Sequence, residues 1–246
     1  KENLAGIEDY TRIGSLLQPE QIVKYGELTL RENQIAYAEP SFFRLFDFEL
    51  LKGDKKTCLS MPGQVVITER IASKYFKDED PIGKIFIFTG AYDKISCEVT
   101  GVMKEMPSNS HIHYSFLISY KSLPKYMQEY WYKHEAYTYV LLDSPERKAE
   151  IEREFPVMAE KYKTDEALKN KTWGVSLIPL ADIHLTPQVG YEAETKGNRS
   201  SMIALIFAAI AILAIAWINY INLTVARSME RAKEVGVRRV VGAFRK

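Results

Sequence analysis

The chain has 246 residues, 46% hydrophobic and 26% charged, with a formal net charge of +1 and a sequence pI near 7.8. That length supports one large domain or two small ones with a sizeable core. Two cysteines, Cys58 and Cys97, are too few for a disulfide scaffold, and no CxxC spacing marks a metal site. Two unpaired small core residues are expected, with a bridge in an oxidising compartment as the alternative. The near-neutral balance hides a split. From Arg227 onward seven positive residues (Arg227, Arg231, Lys233, Arg238, Arg239, Arg245 and Lys246) stand against Glu230 and Glu234, a local charge of +5, so the rest carries about −4.

The chain opens on the polar stretch KENLAGIEDY, which is no signal peptide, so export of the body would require a targeting element upstream. GELTLRENQIAYAE, residues 26–39, alternates as a strand pair should, with a turn near Glu32-Asn33. PSFFRLFDF reads as a short helix with Pro40 at its first position. GQVVITERIASKYF reads as a strand and then a helix capped by Thr68. DPIGKIFIF is a turn entering a strand, and KISCEVTGVMKEM is a strand interrupted by a bulge at Gly101. YSFLISY and AYTYVLLD are aromatic and branched enough for strands. SPERKAEIEREFPVMAEKYK is predicted as a helix behind a Ser-Pro cap, with Pro156 an awkward interior residue. TWGVSLIPLADIHL is predicted as a last strand. Strands and helices interleave irregularly, so the fold class is α+β.

The body shows no obvious chemistry. HIH at 111–113 puts His111 and His113 on one side of a predicted strand, and His184 lies near Asp182, but no third ligand is identifiable and no metal site is expected. No GxSxG, HExxH or P-loop pattern occurs. KDEDP at 77–81 reads as a solvated loop, and SNS at 108–110 has no candidate base beside it. The Tyr-rich stretch YMQEYWYKHEAYTY reads as core and rim packing rather than a ligand groove. Neither catalytic residues nor a cofactor site are assigned.

The C-terminal region is different. No charged residue lies between Arg199 and Arg227. As a helix this run is roughly 40 Å long at 1.5 Å per residue, enough to cross a hydrocarbon core of roughly 30 Å. A soluble helix would show a polar face, and this run shows none for five turns. It is therefore read as a membrane span. A basic tail alone would suit nucleic acid. Placed directly after a span it reads as the positive-inside signal, with the tail in the cytoplasm and residues 1 to about 198 outside. Trp217 and Tyr220 then fall near the inner leaflet. Ser201, Ala204, Ala208, Ala211 and Asn222 stack on roughly one helix face, with Asn219 close by. Small residues and buried amides there fit packing against sibling transmembrane helices.

Several stretches resemble the MacB/FtsX-type permeases of ABC transporters. PSFFRLFDFELLKGD, VVITERIASKYFKDEDPIGKIF and CEVTGVMKEMPSNSHIHYSFLIS are similar to successive periplasmic patterns of that family. IPLADIHL resembles the strand before its second transmembrane helix. INYINLTVARSMERAKEVGVRRVVGA resembles its most specific signature, at the passage from membrane to cytoplasm. The style of the body resembles the Bacteroidota branch.

The resemblance implies a periplasmic core domain between the first and second of four transmembrane helices. It implies two parts, a membrane-proximal mixed α/β subdomain from 1–46 and 121–198 and an inserted strand-rich subdomain at 47–120. A stalk and transmembrane helix would follow at 199–228 and a cytoplasmic coupling segment at 229–246. The function implied is that of a permease subunit fragment, not itself an enzyme, that couples ATP hydrolysis in a partner to motion of the periplasmic domain. Glu230, Arg231, Lys233, Glu234, Gly236, Arg238, Arg239 and Gly242 would meet the ATPase subunit. The implied partners are that ATPase, a second permease copy, inner-membrane lipid and a periplasmic adaptor or outer-membrane protein, with no nucleic acid. The rival reading is a membrane-tethered extracytoplasmic sensor, and a tethered hydrolase is weaker because no nucleophile–base set is visible.

Overall fold

Strand and helix alternate along most of the body, and the computed structural model shows what they build. It describes residues 4–14, 20–90, 94–128, 136–161, 170–183 and 199–242. The described residues divide into two units, one within Lys1–Pro179 and the other dominated by a C-terminal helix.

The first unit is organised on one mixed sheet. Its strands are β1 (Ile7–Gly14), β2 (Glu20–Tyr25), β3 (Leu28–Asn33), β4 (Ile35–Ala38), β5 (Leu50–Lys52), β6 (Gln64–Thr68), β7 (Ile85–Thr89), β8 (Lys94–Met103), β9 (Phe116–Ser119) and β10 (Tyr137–Leu142). The spatial order is β10-β1-β4-β9-β6-β8-β7-β2-β3, with β5 paired to β8 beside β7. Most neighbours are antiparallel, but β4 with β9 and β6 with β8 run parallel. Strands from 1–46 and from 47–120 therefore share hydrogen bonds in one sheet, through β2–β7 and β4–β9.

The central strands explain why VVI and FLI are uninterrupted apolar runs: they are buried on both faces. On one face Val65, Ile67, Phe116 and Ile118 join Phe86, Phe88 and Val99 beneath a helix, α2 (Glu69–Phe76), which contributes Ile71, Tyr75 and Phe76. On the other, Val66, Leu117 and Ala36 meet Phe42 and Phe43 of a one-turn helix, α1 (Phe42–Leu45), and Leu59 from the loop after β5. Cys97 lies in the first cluster and Cys58 in the second, so the sheet stands between two free thiols. Burial pushes the Cys58 thiol up to about 11 and that of Cys97 up to about 12, which keeps both protonated.

Thr68 caps α2 as predicted, its hydroxyl accepting from the Ile71 N–H at 3.4 Å. The bulge near Gly101 is also present, as a register shift of β8 against β6 at Val65/Val66. There the chain approaches itself closely. Gly53 has φ +96°, and a Cβ on it would lie 2.4 Å from the Thr100 carbonyl oxygen. We expect Gly53→Ala to lower stability by about 2–3 kcal/mol, read as a fall in the urea midpoint. A loss below about 0.5 kcal/mol would show that the β5–β8 contact yields freely.

Four local expectations need correction. The break near Asn33 exists, at Gln34 with φ 58°, but β3 and β4 do not pair across it. β3 instead forms a hairpin with β2 around Gly26-Glu27, while β4 turns away to β1 and β9. Pro40 precedes α1 by two residues, and Ser41 is the N-cap. The predicted Ser-Pro cap is absent as a side-chain cap: α4 (Arg147–Glu160) begins after Glu146, with the Arg147 N–H on the Ser144 carbonyl. The last strand is not formed among residues 170–183, and β10, an edge of the sheet, pairs only with β1. Instead the Leu177 N–H donates to Glu152 Oε1 of α4 at 2.7 Å. That bond, followed by the Lys148 ammonium, holds the Glu152 carboxyl below the usual range.

Candidate functional site

The second unit is dominated by one uninterrupted helix, α5 (Arg199–Val240), of 42 residues. At 1.5 Å per residue it is about 63 Å long, twice the roughly 30 Å of a hydrocarbon core. Its apolar window has none of its residues buried. Leu205, Phe207, Leu213 and Trp217 all stand open, Trp217 to 75%. Surface of that size on consecutive turns requires lipid or other protein against it. Two hydroxyls are already provided for: Thr224 donates to the Tyr220 carbonyl at 2.8 Å and Ser228 to that of Thr224 at 2.8 Å.

The residues singled out for membrane packing, Ala204, Ala208, Ala211, Asn219 and Asn222, all lie on α5, exposed and with Ser201 on the same face. Those singled out for coupling continue on the same helix. Glu230, Arg231, Lys233, Glu234, Gly236, Arg238 and Arg239 occupy its last three turns, and Gly242 follows its end. The helix is not interrupted at Gly236, and beyond it the Val241 N–H still reaches the Val237 carbonyl at 3.0 Å. It stops at Gly242, whose φ of +86° is the left-handed turn that closes many helices. Glu234 and Arg238, one turn apart, form an ion pair at 2.6 Å, both exposed. Such a pair contributes a few tenths of a kcal/mol and leaves both groups open to a partner. Arg245 and Lys246 lie outside the described residues, as does the side chain of Arg199.

The chemistry-bearing motifs of the body lead elsewhere. His111 and His113 are not on a strand but in the irregular stretch before β9. The His111 Nε2 lies 2.9 Å from the Tyr139 hydroxyl, which aligns this imidazole with a phenol. His184 and residues 129–135 of the Tyr-rich stretch lie outside the described residues; Tyr139 packs against the core and Tyr126 is exposed. Lys77–Asp80 is an exposed loop, held by Lys52–Asp80 and Lys84–Glu79 ion pairs at 3.0 Å.

With a mixed-sheet body followed by an apolar helix that turns basic, one comparison decides the family. The sequence model of the MacB-like periplasmic core domain matches residues 1–156. The chain belongs to this family. Its members are transporter permease components, so the chain carries the periplasmic domain of a MacB-like permease and a helix long enough to cross a membrane. No curated protein matches the sequence. Among solved structures, a permease-protein domain from Porphyromonas gingivalis is 23% identical, with a TM-score of 0.57 over 68% of this chain and 76% of its own. At that identity the likeness establishes a shared fold. The periplasmic region of MacB from Actinobacillus actinomycetemcomitans is 14% identical, with a TM-score of 0.47 over 65% of this chain and 70% of its own. The extracellular domain of the transporter YknZ from Gram-positive bacteria is 17% identical, with a TM-score of 0.47 over 68% and 82%.

Two polar anchors of the periplasmic core domain carry no local signal in the sequence. Glu32 of β3, almost fully buried, accepts from Lys74 Nζ at 2.6 Å and from the Tyr75 hydroxyl at 2.8 Å. Burial, followed by that bond, raises the Tyr75 hydroxyl far above its ordinary value. The contact ties the β2–β3 edge to α2. Arg12 of β1 donates to Glu39 at 2.9 Å and to the Gln128 carbonyl at 2.7 Å, with its guanidinium 4.3 Å from the Tyr120 ring centre. It joins β1 to α3 (Lys125–Gln128), which follows the 3₁₀ turn Tyr120–Ser122. Partners 42 or 116 residues apart leave no local spacing to read.

Proposed function

We propose that this chain is the periplasmic core domain, second span and start of the coupling segment of an ABC permease that transmits force rather than passing cargo between its own helices. The observation that carries the reading is the continuity of α5 from its uncharged apolar turns into Glu230–Val240, behind a domain of the MacB-like family. ATP binding in a partner would bring two nucleotide-binding domains together and displace the coupling segment. A rigid helix would carry that displacement across the membrane to the body. In this reading residues 229–246 are cytoplasmic, and Glu230, Arg231, Lys233, Glu234, Gly236, Arg238, Arg239 and Gly242 contact the ATPase. Residues 1–46 with 121–198 face the membrane, and 47–120 stand further out. Ala204, Ala208, Ala211, Asn219 and Asn222 pack on other spans or on a second permease copy, and an adaptor or outer-membrane protein meets the body.

The test is co-purification. The full-length permease, co-expressed with its ATPase, should retain it, and a variant carrying Glu234→Lys, Arg238→Glu and Arg239→Glu should lose it. Retention by that variant would remove these residues from the interface. Failure of the wild type to retain any ATPase would favour the membrane-tethered sensor.

A further inference from the structure

The basic residues of α5 do not form one group. Arg227 is the first charge after the uncharged run, and Arg231 follows one turn later, roughly 40° around the helix. Arg238 lies on the same side but about 16 Å beyond Arg227. The headgroup layer of a bilayer is only about 5–8 Å thick on each side. Helical side chains lean toward the helix N-terminus, which for α5 is toward the apolar turns. The guanidinium groups of Arg227 and Arg231 therefore fold back toward the headgroups. Arg238 and Arg239 stand clear of them.

The surroundings set Arg238 apart. It is engaged by Glu234 at 2.6 Å. Among the described residues Arg227 and Arg231 make no ion pair, and neither do Lys233 and Arg239, so distance along the helix is what separates the inner arginines from the outer ones. Glu230 and Glu234 each lie three residues after one of these arginines, about 60° around the helix, but Glu230 makes no ion pair with Arg227 and Glu234 is taken by Arg238. The hydroxyls of Thr224 and Ser228 are committed to the backbone, so the side-chain donors left over residues 224–231 are the two guanidinium groups.

We propose that Arg227 and Arg231 form a seat for anionic phospholipid headgroups, distinct from the outer pair Arg238 and Arg239; on this proposal Arg231 serves the membrane and the ATPase contacts begin beyond it. It rests on the orientation given above, with the tail in the cytoplasm. Two planar guanidinium forks one turn apart present bidentate donors to phosphate diesters, and a net negative headgroup adds a Coulomb attraction that a zwitterion lacks. The seat fixes the depth of α5 and leaves it free to tilt, so that displacement of its outer turns rocks the whole rigid helix about the headgroup level.

The experiment is native mass spectrometry of the full-length permease released from bilayers of phosphatidylcholine and phosphatidylglycerol mixed 7:3. The reading is the ratio of phosphatidylglycerol to phosphatidylcholine retained. Arg227→Gln with Arg231→Gln should lower that ratio by roughly 10- to 30-fold. Arg227→Lys with Arg231→Lys should keep most of it, which guards against simple misfolding. Arg238→Gln with Arg239→Gln should leave it unchanged. An unchanged ratio in the first variant, or an equal loss in the third, overturns the seat. ATPase retention in the same preparations separates the two readings. A failed lipid ratio with the ATPase bound sinks only the seat, and a wild type that binds lipid but no ATPase sinks only the coupling.

Discussion

Phe86→Ala is expected to destabilise the periplasmic core domain by about 3–5 kcal/mol. Phe86 is fully buried on β7, and five rings surround it: Tyr75 at 4.9 Å between centroids, Phe76 at 5.4, Phe116 at 5.8, Tyr25 at 5.9 and Phe88 at 6.0. These rings come from β2, α2, β7 and β9, so one truncation removes contacts from four of the elements on that face. The neighbours are held in a hydrogen-bonded sheet and cannot close the cavity, which keeps the cost near the top of the range. In a domain of this size the melting temperature should fall by on the order of 10 °C. Ile85→Ala is the control. Ile85 is the adjacent residue of the same strand but points to the other face and is 57% exposed. Its loss should cost below about 1 kcal/mol. Near-UV circular dichroism through a urea series gives both numbers, and equal losses would mean that the aromatic cluster is not the centre of the core.

What was legible in the sequence was what local pattern encodes. VVIT before ERIASKYF announces a strand, a Thr cap and a helix, and all are found, the helix setting Ile71, Tyr75 and Phe76 into the core. The bulge at Gly101 and the uncharged helix from 200 to 226 are likewise read directly from residue type and period. Pairing between distant strands was not legible. Nothing near Gln34 records that β4 lies beside β9, some 80 residues later, rather than beside β3. The same holds for Glu32 with Lys74 and for Arg12 with Glu39, where polar groups meet only after the sheet has formed. The strand predicted at 172–185 is not formed over its described part, 172–183, for a related reason: alternating residues indicate that a segment can be extended, but a strand also needs a partner strand for its backbone groups, and Leu177 takes Glu152 instead. The candidate coupling segment was legible as charge placed after a span, because membrane insertion itself reads local sequence. Its ion pair, Glu234 with Arg238, follows from the i,i+4 spacing.

Force transmission makes a demand on α5 that topology anchoring does not, and Met229→Pro isolates it. Met229 lies between the last uncharged turn and Glu230, exposed to 68%, so its side chain contributes little to packing within the chain. Proline there removes the bond from residue 229 to the carbonyl of Val225 and pushes its ring against that carbonyl, costing about 3 kcal/mol or more and kinking the helix. The span and its flanking arginines are untouched, so insertion and orientation should be preserved. The residues proposed to bind the ATPase lie beyond the kink with their own spacing intact, so co-purification should persist. What should be lost is transmission, because a displacement of the outer turns would bend the joint instead of moving the span. ATP-driven activity of the reconstituted transporter should drop to background, while Met229→Ala, a stronger helix former than most, should behave as wild type. Undiminished activity in the proline variant would show that the periplasmic domain is driven by another route than a stiff α5, whatever the ATPase contacts.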